Sequence, residues 1–152
     1  MRGLFFFLSA ILLQACGGPK PFDISDPSQK YLTFGNGGGF TGAVTKFHLL
    51  EDGRVFRSIT EGEVVEIGKI DKDLAKQQFI NFATLNFSSL SIDDPGNVYY
   101  FLSHSDNDKD RNLTWGGNHT EVPSNLKTFH LNLTKLVRKL NNDNEPVKSA
   151  QK

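Results

Sequence analysis

Near the C-terminus, Leu126, Phe129, Leu133, Leu136, Val137 and Leu140 recur at steps of three and four residues, so on a helix they make one continuous apolar stripe. Pro123 stands just ahead of them, where its missing N–H costs nothing in a first helical turn. A stripe of that length has to be buried against something, and the preceding segments supply a sheet. "YLTF" and "FTGAVTKFHLL" are rich in β-branched and aromatic residues. In the second, Thr41, Ala43, Thr45, Phe47 and Leu49 alternate with Val44, Lys46 and His48, the period of a strand. "EDGR" places Asp52 and Gly53 before "VFRSI", a two-residue type I′ hairpin signal because Gly tolerates positive φ. "EVVEIGKI" adds a short strand, and "NVYYFLSHS" and "RNLTW" form a further pair around "DNDKD". Between them, "DKDLAKQQFINFATLNF" reads as a helix capped by Asp71 or Asp73, with Ala75, Phe79, Phe82 and Ala83 on one side. The expected fold is therefore α+β: a mostly antiparallel sheet of about four to six strands with two helices packed on one face. Tight hairpins are antiparallel by construction, which argues against a doubly wound nucleotide fold.

The N-terminus has a different character. Arg2 is followed by the apolar run "LFFFLSAILL", ten residues long, whereas crossing the hydrocarbon takes about 20. This is the pattern of an export signal and not of a spanning helix. Leu13, Ala15 and Cys16 resemble the bacterial lipobox, and the resemblance implies cleavage after residue 15, acylation of the Cys16 thiol and membrane attachment through the lipid. Gly17, in place of an Asp after the cysteine, favours by the same resemblance the outer membrane, on its periplasmic or surface face. Cys16 is the only cysteine, so no internal disulfide framework and no multi-cysteine metal cluster can form. The chain has 17 basic and 17 acidic residues; a balance this even gives no sign of the basic excess expected of a nucleic-acid binder.

These features divide the chain into a signal peptide (1–15), a tether from the lipidated cysteine (16–30), one α+β domain (31–140) and a polar tail (141–152). The tether "GGPKPFDISDPSQK" is rich in Gly, Pro, Ser and Asp, a composition that favours turns and extended linkers.

Residues 34–42, "FGNGGGFTG", raise the question of phosphate binding. Gly37, Gly39 and Gly42 fit G-x-G-x-x-G, and with Val44 they also fit the glycine-rich loop of kinases. A dinucleotide site needs a helix after the glycines, and here a strand follows. A kinase needs H-R-D and D-F-G, and neither is present. The segment reads instead as a strand-to-strand turn that uses glycine's backbone freedom. Set beside the helix with its "LNF", the "DDPG" segment, the strand "VYYFL" and the closing "EVPSNLKTFHLNLTKLV", the motif "GGGFTG" resembles the emfourin-like proteins and small bacterial lipoproteins with the same glycines. Emfourin-like domains inhibit thermolysin-like metallopeptidases, so the resemblance implies a non-enzymatic, protein-binding module with no cofactor, whose partner is a protein of the peptidase kind.

On this reading the candidate recognition residues are Gly38, Gly39 and Phe40, with Trp115 and Asn118 of "WGGN". Trp115, the only tryptophan, admits two roles: an exposed anchor, or a cap on the core under the last helix. Other constellations carry less. Asp106, Asp108 and Asp110 begin with the spacing of a calcium loop, but Arg111 and Gly117 stand where Gly and Glu are required. His48, His104, His119 and His130 show no zinc-binding spacing, and no metal or catalytic residue is assigned. The alternative function is a small-molecule-binding or enzymatic envelope domain whose site is assembled from dispersed residues; a purely structural envelope subunit is a third.

Overall fold

A computed structural model of the chain describes residue 18 and residues 20–60, 63–106 and 111–144. Its elements are β1 (Tyr31–Gly38), β2 (Thr45–Leu50), β3 (Arg54–Thr60), β4 (Glu63–Lys69), α1 (Lys72–Ala83), a 3-10 turn (Phe87–Ser89), β5 (Asp93–Asp94), β6 (Val98–Ser105), β7 (Arg111–Trp115) and α2 (Ser124–Asn144). The strands form one sheet in the order β4-β3-β2-β1-β6-β7-β5, antiparallel except for the β5–β7 pair. The fold is α+β, as the sequence implies, but with seven strands instead of four to six. The additional strand is the two-residue β5 from "DDPG", which is defined by its pairing with Thr114 and Trp115 and has no hydrophobic pattern of its own.

The helices build the main core on one face of the sheet. Leu32 and Phe34 of β1, Phe47 and Leu49 of β2, Val55 of β3, Leu102 of β6 and Leu113 of β7 face Ala75 and Phe82 of α1 and Leu126, Phe129, Leu133 and Val137 of α2. Leu136 and Leu140 pack at its margin, so the whole predicted stripe is used. Asp71 caps α1: one carboxylate oxygen accepts the N–H groups of Asp73 and Leu74 at 2.9 and 3.0 Å, which satisfies two donors that a helix start leaves open. Ala83, expected on the buried side of α1, is exposed, and Gln78 is buried in its place.

The hairpin after β2 departs from the expected type I′ form. The loop has three residues, 51–53, and only Gly53 among them has positive φ (92°). Its N–H donates to the Leu50 carbonyl at 3.0 Å, and Asp52 accepts the Arg54 N–H at 3.0 Å. A single glycine at the last loop position is what a three-residue hairpin requires.

Two segment boundaries also shift. Residues 20–30, expected as a tether, pack against the second face of the sheet. There Phe22 and Ile24 join Tyr31, Leu50 and Phe56 in a small second core, and the Phe22 ring lies 4.5 Å from Phe56 and 5.2 Å, edge-on, from Tyr31. Asp23 and Asp26 fold the segment by accepting the N–H groups of Ser25 and Ser28, the short-range Asx turns that Asp favours, and the Tyr31 hydroxyl donates to the Ile24 carbonyl at 3.0 Å. Tyr31 of β1, Leu50 of β2 and Phe56 of β3, on three successive strands of the sheet, give this low-apolar segment its partners. At the other end, α2 runs on to Asn144 and not only to residue 140. Cys16, Asp108, Asp110 and residues 145–152 lie outside the described residues.

Candidate functional site

The glycine motif is mostly strand. Gly35, Gly37 and Gly38 belong to β1, and Gly35 and Gly37 pair with Phe101 and Tyr99 of β6. The rings of β6 fold over the two glycines: a methyl on Gly35 would overlap Phe101 and the Thr45 carbonyl, and one on Gly37 would lie 2.5 Å from the Tyr99 hydroxyl. These glycines are thus kept small by packing, a function of glycine in strands distinct from turn-making. The turn itself is residues 39–44, because β2 begins only at Thr45. Gly38, Gly39 and Gly42 all take positive φ (91°, 72° and 64°), a region open to glycine and strained for most other residues. The Gly39 N–H donates to the Asn97 carbonyl at 2.6 Å and the Gly42 N–H to the Gly39 carbonyl at 3.2 Å. The turn holds Phe40 clear of the surface, at 106 % relative exposure, with Val44 and Val98 half-exposed beside it.

The second predicted turn, "WGGN", lies at the same end of the sheet. Gly116 packs so closely on the Val98 and Tyr99 backbone that a Cβ would overlap the Val98 carbonyl, and Gly96 fits as tightly against the Gly116 carbonyl. Residues 96–98 therefore sit between the two turns and bring Gly38, Gly39 and Phe40 toward Asn118, which is exposed. Trp115 does not join them at the surface. It is buried (5 % exposed) in the main core, so of its two sequence-level roles the structure has the core cap.

Asp94 fixes the "WGGN" turn, a role that sequence reading did not assign. Its carboxylate accepts the N–H groups of His119 and Thr120 at 2.8 and 2.9 Å and lies 3.1 Å from His119 Nδ1. Hydrogen bonding from the His119 ring, reinforced by the two backbone donors against a desolvation cost, holds this carboxyl below the ordinary carboxylate range. The nearest sequence signal was the "DDPG" string, whose Asp–Pro–Gly composition marks a turn but not the acceptor at its start.

Two histidines are buried. His130 of α2 is enclosed by Trp115, Tyr100 and Phe34, with ring centroids at 5.1, 5.5 and 6.5 Å. Its Nε2–H donates to the Gly35 carbonyl at 2.9 Å, tying α2 to β1. Burial lowers its pKa, opposed by that hydrogen bond. Beside it, Tyr100, Trp115, Lys127 and Leu131 line a shallow groove of about 370 Å³.

His48, on the second face, has no measurable exposure. Its Nδ1 lies 2.9 Å from the Thr33 hydroxyl and its Nε2 2.9 Å from the Ser58 hydroxyl. A hydroxyl paired with an imidazole can be a nucleophile and its base. Here burial, with Lys46 nearby, pushes the His48 pKa down to about 4, far below the near-neutral value general-base work needs. No carboxylate orients the ring, since both of its nitrogens are occupied by hydroxyls. The Thr33, His48 and Ser58 group is a structural bridge across β1, β2 and β3. Among the described residues no cluster of three His, Cys, Asp or Glu side chains is placed to hold a metal ion, and Asp106 lies 3.2 Å from the Lys30 ammonium.

The fold and this end of the sheet define a small α+β domain that presents an aromatic side chain on a glycine-built turn. No protein-family model and no curated protein matches the chain.

Proposed function

We propose that the chain is a lipid-anchored protein of the bacterial envelope that acts as a non-enzymatic protein-binding module, of the peptidase-inhibitor-like kind its glycine motif resembles. The observation that carries this reading is Phe40. A large apolar ring at full exposure, on a turn whose positive-φ Gly39 and Gly42 are held by main-chain hydrogen bonds, loses little conformational freedom on binding and gains the most from a partner's pocket. The binding surface is the glycine turn with Gly38 and Gly39 at its base, Val44 and Val98 beside it, and Asn118 on the adjoining turn. Trp115 supports that turn from beneath. Lipid attachment rests on Leu13, Ala15 and Cys16, and no helix among the described residues is long and apolar enough to cross a membrane. The outer membrane is the proposed location.

The test is a stoichiometric inhibition assay of the chain from residue 16, with Cys16→Ser, against a thermolysin-like metallopeptidase. Inhibition that saturates at one domain per enzyme and is lost in Phe40→Ala supports the inhibitor reading. Full peptidase activity at high micromolar domain removes it. Co-purification of a different envelope protein that depends on Phe40 would then retain the wider protein-binding function.

A further inference from the structure

Residues 20–30 fix more than the small second core. The segment packs beside Tyr31, the first residue of β1, through Phe22 and Ile24. Its own start is pinned at the same place: the Gln29 side-chain amide donates to the Pro21 carbonyl at 2.9 Å, and the Lys20 ammonium meets the Asp26 carboxylate. Only residues 17–19 then separate Lys20 from Cys16. The steps from residue 16 to residue 20, fully extended, span at most about 14 Å. The Phe40 turn lies at the other end of β1, which runs from Tyr31 to Gly38, a distance of about 23 Å at roughly 3.3 Å per residue. The loop 51–53 stays at the Tyr31 end, because Leu50 pairs with Tyr31. A domain standing with its Phe40 turn toward a bilayer would hold Pro21 a strand's length above the lipid, beyond the reach of the chain from Cys16.

From this geometry we infer that the lipid at Cys16 mounts the domain end-on: the end of the sheet that carries residues 28–30 and loop 51–53 rests against the lipid surface, and the Phe40 turn faces the aqueous side. The inference rests on the lipid-anchor reading and adds to it an orientation. Phe40 is then a contact for a partner that approaches through water and not a wedge in the bilayer. The docking of Phe22 and Ile24 sets the mount, because without it the chain between lipid and sheet would gain the whole of residues 20–30.

The experiment couples the Cys16 thiol of the isotope-labelled chain from residue 16 to a maleimide-headgroup lipid in a phosphatidylcholine nanodisc that also carries a gadolinium-chelating lipid, and reads the loss of backbone amide signals. Cys16 is the only cysteine, so the coupling point is unique and the measurement does not depend on native acylation. Signals of residues 28–30 and 51–53 should be lost, and those of residues 39–42 and Asn118 retained. Inserting about ten Gly and Ser residues between Pro19 and Lys20 adds roughly 17 Å of reach and should even out the two ends with an unchanged melting curve. The inference is overturned if residues 39–42 of the parent chain lose signal as strongly as residues 51–53, or if the longer linker leaves the contrast as it was. The anchor reading fails by a different measurement: a chain expressed from residue 1 in a bacterium that carries no acyl mass on Cys16 removes it, whatever the contrast in the nanodisc.

Discussion

At the level of single residues, His48 makes folding depend on pH in a definite window. A free imidazole titrates near 6.5, while His48 in the folded chain is depressed to about 4 by burial, with Lys46 adding to it. Below pH 6.5 the unfolded chain takes up the proton first, so stability is complete above that value and is lost as the pH falls toward 4. The full loss is about 3 kcal/mol at roughly 1.4 kcal/mol per pKa unit. His130, lowered for the same reason, acts in the same direction. Asp94, whose pKa is lowered chiefly by its hydrogen bond from the His119 ring, contributes stability that disappears only further down, as the carboxylate itself protonates. Urea unfolding at pH 7, 5.5 and 4.5 should therefore show a steady fall well above the carboxylate range. His48→Asn should be less stable at pH 7, because Thr33 and Ser58 lose a shared partner, and flatter across that window. A parent chain with level stability from pH 7 to 4.5 would contradict this account. Neither His48 nor His130 could be assigned from the sequence as buried, because a histidine beside an apolar stripe becomes core or surface according to which strands meet it.

Among the elements, those with a strong internal period were legible in the sequence and those made by pairing were not. The stripe of α2, the Asp71 cap and the alternation of Phe47 and Leu49 are local signals, and each one is realised. The start of β2 is misplaced by sequence reading because residues 40–44 alternate like a strand but have no neighbour on which to pair, while β1 runs through glycines that propensity assigns to a loop. The rings of Tyr99 and Phe101 and the Thr45 carbonyl, all brought in by neighbouring strands, explain Gly35 and Gly37. The same cause hides the docking of residues 20–30. Phe22 and Ile24 are two apolar residues in a polar segment, and their partners Tyr31, Leu50 and Phe56 come from three different strands. If the segment is part of the domain and not a tether, Phe22→Ala should cost about 1 kcal/mol, below the value of a fully buried aromatic side chain because the ring is only partly buried. The Ile24→Ala change should add less than its single-mutant cost on top, because the two touch one small cluster and are not independent. Chemical denaturation of both single variants and the double variant measures this. Parent-like stability in all three would return the segment to the role of a tether.

For the molecule as a whole, the sheet separates what holds the domain together from what it offers to a partner. The helix-covered face and the small cluster around Tyr31 supply the cohesion. The Phe40 end is made of turns braced by main-chain contacts with residues 96–98 and by Asp94. That division makes Phe40 and Trp115, two aromatic residues at one end of the sheet, opposites in effect. Phe40 buries nothing in the isolated domain, so Phe40→Ala should change unfolding free energy by no more than about 0.5 kcal/mol, as for other free surface positions. Its loss should still weaken partner capture about 30-fold or more, the scale of an interface anchor worth 2 kcal/mol or above. Trp115 lies in the core against Tyr100 and His130, so Trp115→Ala should cost about 3–5 kcal/mol of stability. Capture by this variant should fall only in proportion to the unfolded fraction and recover when temperature is lowered. Thermal melts run beside pull-down from an envelope extract separate the two cases. If Trp115→Ala lost capture while fully folded and Phe40→Ala kept it, recognition would lie in the groove under α2 and not on the glycine turn.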